Sequence, residues 1–183
     1  KMGKSYNNFI TLEQFFTGNH ELLKQSFSPM AIRFFILSAH YRGTVDFSND
    51  ALVASEKGLE RLMNGLADLD RIQPQADCDA ETKKVVNELR QKCYDAMNDD
   101  LATPLVISHL FEACSVVNKL LDHKATICQD CLDELKSTMR LFAFDILGLA
   151  DEKAANNEAR EEAYGKVVDM VLELRAKAKA DKD

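Results

Sequence analysis

The sequence has no tryptophan, only three prolines and only seven glycines in 183 residues. So few chain breakers leave long stretches free to run as helix and weigh against a strand-and-turn protein. No apolar run approaches membrane-spanning length, and no segment has the layout of a secretory signal. Positive charge is not in excess either. The net charge of −7 argues against a nonspecific nucleic-acid binder. The five cysteines are odd in number and irregularly placed, which reads as buried thiols of a cytoplasmic protein and not as a disulfide framework. What is present is a hydrophobic fraction of 46%, ample for a core. The chain opens Lys1-Met2-Gly3-Lys4, without an initiator methionine in first place, and reads as a piece excised from a longer protein.

The charge is unevenly placed. Residues 1–75 carry eight Lys/Arg and eight Asp/Glu, whereas 76–150 carry eight against thirteen and 151–183 seven against nine. A shape-reading RNA contact on the first half is therefore open, while an electrostatic clamp along the whole chain is not.

Apolar residues recur at spacings of three and four in successive stripes, the signature of amphipathic helices. Ser28-Pro29 reads as an N-cap with proline in the first turn, and Ile32, Phe34, Phe35, Ile36 and Leu37 predict a short helix buried on most sides. Beyond an N-cap at Ser48 runs Leu52, Ser55, Leu59, Leu62, Leu66 and Leu69, with Pro74 helping to stop the helix. A second stripe is Val86, Leu89, Cys93 and Met97. A third, capped by Thr103, is Val106, Leu110, Ala113, Val117 and Leu120. A fourth runs from Cys128 through Cys131, Leu135, Met139, Phe142 and Ile146 to a C-cap at Gly148. A last helix is expected over 158–180. Short loops force neighbouring helices antiparallel, so the expected fold is all-α: an up-and-down antiparallel helix bundle preceded by a loop and short linking helices.

Lys1-Met2-Gly3-Lys4-Ser5 places two lysines around a glycine in a turn-rich string, a cationic loop of the kind that grips phosphates. Followed by Asn8-Phe9 and a helix capped by Thr11, it resembles the K-M-S-K-S signature of class I aminoacyl-tRNA synthetases. The stretch from Ser28 to Ser48, with its Ser38-Ala39-His40-Tyr41-Arg42 turn, is similar to the segment that follows this signature in cysteinyl-tRNA synthetases. Met97-Asn98-Asp99-Asp100-Leu101-Ala102-Thr103-Pro104 resembles a further motif of that family. Gly3 departs from the usual serine, which bears on that side chain and not on the lysines.

The resemblance implies a parent enzyme that ligates cysteine to its tRNA through a cysteinyl adenylate, with ATP, cysteine and tRNA as partners. It implies Lys4 as the catalytic cation, assisted by Lys1, and Lys1, Met2, Lys4 and Ser5 as the ATP-binding loop. It implies zinc only in a preceding nucleotide-binding domain, and a fragment inactive alone. The organisation it suggests is a loop and joint over 1–47, a tRNA-binding, DALR-like bundle over 48–149, and a terminal helix opening an anticodon-binding domain over 150–183. Arg42, Lys57 and Arg61 are candidate tRNA contacts, because the first half lacks the acidic excess. The alternatives are a cysteine–sugar-amine ligase with the same loop chemistry and a stand-alone helical interaction module.

Other constellations read more plainly. Cys128-x-x-Cys131 would share one apolar helical face, and a structural zinc needs four ligands. With His123 the only near third candidate, core thiols and no metal are expected. Asp99-Asp100 before Thr103-Pro104 reads as acidic complement to a helix N-terminus. His109 reads as a helix-surface residue and His20 as a loop residue. His40-Tyr41-Arg42 either stacks and pairs with RNA or locks the joint between the bundle and a catalytic domain.

Overall fold

In a computed structural model the described residues are 9–152 and Met170. Backbone contacts divide the chain into two compact units, Lys1–Leu149 and Ala150–Asp183. The elements that follow belong to the first. The helix expected over 158–180 lies, Met170 apart, outside the described residues.

Six α-helices follow one another with no strand among the described residues: α1 (Leu12–Thr17), α2 (Pro29–Leu37), α3 (Asn49–Asp68), α4 (Ala80–Asn98), α5 (Thr103–Leu121) and α6 (Gln129–Arg140). Their starts are chemically marked. The Thr11 hydroxyl accepts the Gln14 N–H while the Gln14 side chain accepts the Thr11 N–H, a complete capping box. Ser28 caps α2 through the Ala31 N–H, Ser48 caps α3 through the Ala51 N–H, and Asp79 caps α4 through the Thr82 N–H. Each cap satisfies a helix-end donor that would otherwise lack a partner.

Helices α3 to α6 make the main core. Every member of the α3 stripe is buried, as are Val86, Leu89 and Cys93 of α4 and the whole α5 stripe. The first turn of α4 meets the last turn of α5 where Lys119 pairs with Glu81 at 2.9 Å, so these helices run antiparallel. The start of α4 also meets the start of α6, because the Asp79 N–H donates to the Thr126 carbonyl at 3.3 Å. Helix α5 has the length and apolar composition to cross a membrane, contrary to the reading of the sequence. Its apolarity comes instead from its place in the core, with Val106, Leu110, Ala113 and Val117 inaccessible. The α3–α5 approach is close: a Cβ on Gly65 would lie 2.5 Å from the Cys114 sulfur.

Helix α2 is less enclosed than its sequence predicts, with Ile36 49% exposed. Its two inward faces serve different cores. Phe34 enters the bundle core, while Ile32 joins a smaller cluster of Ile10, Phe15, Leu23, Phe27 and Leu52. A nine-residue helix has little stability by itself, so α2 exists by being packed from both sides.

The fourth stripe does not continue as one α-helix. After Arg140 the chain widens into a π-helical turn, Leu141–Ile146. The shifted register keeps Phe142 and Ala143 inside and turns Leu147 and Leu149 inward as well. Leu147 is the C-cap. Gly148, expected as the cap, lies one residue beyond it, adopts the left-handed φ of +61° and leaves room for Arg33, whose Nε donates to the Leu147 carbonyl at 2.8 Å.

Leu62 and Leu110 are both fully buried. Leu62→Ala or Leu110→Ala should each cost about 2–5 kcal/mol, the usual range for core truncation, with Glu60→Ala close to neutral. Thermal or denaturant unfolding of the three variants checks the assignment; neutral leucine truncations would contradict it.

Candidate nucleic-acid interface and its joint

The turn after α2 is built around one carboxylate. Asp100 Oδ1 accepts the Tyr41 hydroxyl at 2.7 Å and an Arg42 Nη2 hydrogen at 2.9 Å, and Oδ2 lies 2.8 Å from Arg42 Nε. His40 Nε2 stands 3.8 Å from Oδ2, and the His40 and Tyr41 rings stack with centroids 5.0 Å apart. The Asp100 carboxylate holds the Tyr41 phenol above its ordinary pKa, against the opposing Arg42, so Tyr41 remains a donor.

Asp100 reaches this position from a turn in which it and Leu101 both have left-handed backbones, φ 56° and 54°. Two consecutive non-glycine residues in that region are uncommon and carry a conformational cost. The expected role of Asp99-Asp100 as complement to the α5 N-terminus is thus corrected for Asp100: its charge is spent on Tyr41 and Arg42. Thr103 is corrected too. It is the first residue of α5, not its cap, and its hydroxyl donates to the Leu37 carbonyl at 2.7 Å, closing the end of α2. The geometry of His40-Tyr41-Arg42 is that of a lock inside the helical unit, a contact distinct from the expected brace against a catalytic domain. It ties α2 to the α4–α5 turn, and a phosphate would have to compete with Asp100 for Arg42.

Lys57 and Arg61, one helical turn apart on α3, do come together. They line a shallow groove of about 250 Å³ between α3 and α5. Arg61 lies over the Phe111 ring at 5.1 Å, a cation–π contact that fixes the guanidinium while leaving it exposed. Glu60 and Asp68 share the groove, but Asp68 is paired with Arg71 at 2.7 Å. Arg42 is on the lock and does not line this groove.

Lys1, Met2, Lys4 and Ser5 lie outside the described residues. His20 ends a turn by accepting the Leu22 N–H at 3.2 Å, and His109 stands 3.3 Å from Glu112 on α5, so neither heads a catalytic constellation. Cys128 and Cys131 have a nearer third partner than His123, namely Cys78. It lies 50 positions away, and only the pairing of two loops brings it there.

If the lock acts as a unit, Arg42→Ala and Asp100→Ala should be non-additive. Each alone should cost about 0.5–1 kcal/mol, and a coupling energy of about 0.5 kcal/mol or more is expected from the double-mutant cycle. Strict additivity in chemical denaturation would show that the ion pair does not brace the joint.

The sequence pattern of the DALR domain matches residues 92–151, that is the last two turns of α4 through α6 and the π turn. The whole chain is 61% identical to a cysteine–tRNA ligase of Phocaeicola vulgatus, 58% to that of Bacteroides thetaiotaomicron and 54% to that of Porphyromonas gingivalis. In each case all of this chain is matched, and it spans 36% of the relative's length. At that overall identity the chain is similar to a stretch that makes up about a third of each of these cysteine–tRNA ligases.

Proposed function

We propose that this chain is the C-terminal, tRNA-docking part of an enzyme that joins cysteine to its tRNA with ATP, through a cysteinyl adenylate. The observation that carries the reading is the match of all 183 residues to cysteine–tRNA ligases, together with the DALR match over residues 92–151. The bundle supplies a rigid scaffold, and Lys57 and Arg61 on α3 supply cations for an RNA backbone. Arg42 has the supporting role of locking the scaffold to the joint. The string Lys1-Met2-Gly3-Lys4-Ser5 meets the ATP phosphates, with Lys4 the principal cation and Lys1 its assistant. Loop, joint and bundle occupy 1–47 and 48–149, and 150 onward opens an anticodon-reading part. The 183 residues alone are expected to be silent in cysteine-dependent pyrophosphate exchange.

In the complete enzyme, Lys57→Glu with Arg61→Glu should raise KM for tRNA about tenfold or more, through lost phosphate contacts, and leave adenylate formation unchanged. Steady-state aminoacylation beside pyrophosphate exchange separates the two. An unchanged KM for tRNA would remove this face of α3 from the docking surface.

Lys4→Ala should slow single-turnover adenylate formation on the order of 10²–10³-fold while changing equilibrium ATP affinity little. Charge on the phosphates grows as pyrophosphate leaves, so an ammonium that meets them at that moment stabilises the transition state more than the ground state. If the whole effect fell on ATP affinity, the string would be a tether and not a catalyst.

A further inference from the structure

Three of the five cysteines gather where two loops meet. Cys78 ends the connection between α3 and α4, Cys128 holds the N-cap position of α6, and Cys131 lies in that helix's first turn. Their sulfur atoms all lie within 4.8 Å of one another. Cys93 and Cys114, by contrast, are buried in the bundle core, away from this cluster.

The seam that assembles the three is built for permanence. The Gln75 N–H donates to the Ile127 carbonyl at 2.8 Å, and the Thr126 N–H donates to the Asp79 carboxylate at 3.0 Å. Asp79 also accepts the Thr82 N–H at 2.9 Å and the Thr82 hydroxyl at 2.7 Å. These donors, the Thr82 N–H foremost, hold its carboxyl below the usual carboxylate range. Asp79 is therefore committed to fastening the Cys78 loop against the start of α6, and the thiols are what it brings together.

We propose that Cys78, Cys128 and Cys131 form a three-thiolate site for a thiophilic divalent cation, Zn²⁺ by charge and ligand preference, with a fourth position open to water. Sulfurs around a tetrahedral zinc, at about 2.3 Å from the metal, stand about 3.8 Å apart, so the thiols need close by only about 1 Å. The C-x₂-C spacing on a helical first turn is a common zinc-ligand arrangement. Three thiolates with a divalent ion leave one negative charge beside the α6 N-terminus, whose partial positive charge is about +0.5; a monovalent ion would leave two. Cys78 and Cys128 are half-buried while Cys131 is buried, which gives an entry path and an anchored floor. The Cys131 backbone N–H lowers the Cys128 thiol, whereas burial pushes Cys131 up to about 12. As each S–metal bond forms, the S–H proton it replaces leaves to water, up to three per ion.

The test is a titration of the reduced 183-residue chain with Cd²⁺ as spectroscopic probe and Zn²⁺ as competitor. One equivalent of Cd²⁺ should produce thiolate-to-metal charge-transfer absorption that Zn²⁺ displaces, and bound Zn²⁺ should protect Cys78 and Cys128 from alkylation, mapped by peptide mass. Cys78→Ser and Cys128→Ser should each weaken binding on the order of 100-fold, at the upper end of what losing even an outer-sphere partner costs, while Cys114→Ser leaves it unchanged. No charge-transfer band at one equivalent, or alkylation of Cys78 and Cys128 undiminished by Zn²⁺, would overturn the site and return the thiols to packing. The alkylation map on the unsubstituted chain decides even if a serine variant fails to fold.

Discussion

The two-sided burial of α2 is the constraint on which the rest of the arrangement depends. Phe34 points into the bundle core and Ile32 into the small cluster around Phe15 and Phe27. Neither contact alone would hold a nine-residue helix, whose backbone hydrogen bonds scarcely offset the ordering entropy in water. Around that core contact the polar ties are arranged as supports. The Thr103 hydroxyl takes the Leu37 carbonyl, the Ser55 hydroxyl donates to the Ala31 carbonyl at 3.3 Å, and Asp100 gathers Tyr41 and Arg42. Of these, the Thr103 bond satisfies a carbonyl left over at the C-terminal end of α2, and the others tie α2 and the turn after it to their neighbours.

This division of labour explains why the lock and the α3 groove do different jobs although both carry arginine. At the lock, Arg42 faces a carboxylate that takes two of its nitrogens, so its charge is largely cancelled locally. In the groove, Arg61 is held by an aromatic ring, which orients the guanidinium without neutralising it. Balanced charge over residues 1–75 conceals this contrast, because a count of charges says nothing about which are already paired.

What was legible in the sequence was local. The stripes of α3 and α5 and the caps at Thr11, Ser28 and Ser48 follow from spacings of three and four residues, and all were found where expected. The partners of Thr103, Asp100 and Asp79 were not legible, because their bonds span from 47 to 66 positions. Thr103-Pro104 looks like a cap followed by proline, and only the nearness of Leu37 turns its hydroxyl elsewhere. The π turn was hidden for a related reason: a helical stripe that must bury Phe142, Leu147 and Leu149 together fits no single helical period. At the site, the motif resemblance named the lysines of the loop, and the lack of an acidic excess in the first half pointed to Arg42, Lys57 and Arg61. The pairing that ties Arg42 to Asp100 was set by tertiary contact across 58 positions.

The bond from Arg33 to the Leu147 carbonyl has a consequence during synthesis. It joins residues 114 positions apart. At the usual pace of the ribosome, about 5–20 residues per second, roughly 6–23 s separate the making of Arg33 from that of its acceptor. During that interval α3 to α6 are made, yet the Arg33 side of α2 cannot close until Leu147 follows them. The growing polypeptide thus carries a half-finished joint on the ribosome, with its guanidinium waiting for the last turn of the bundle to emerge.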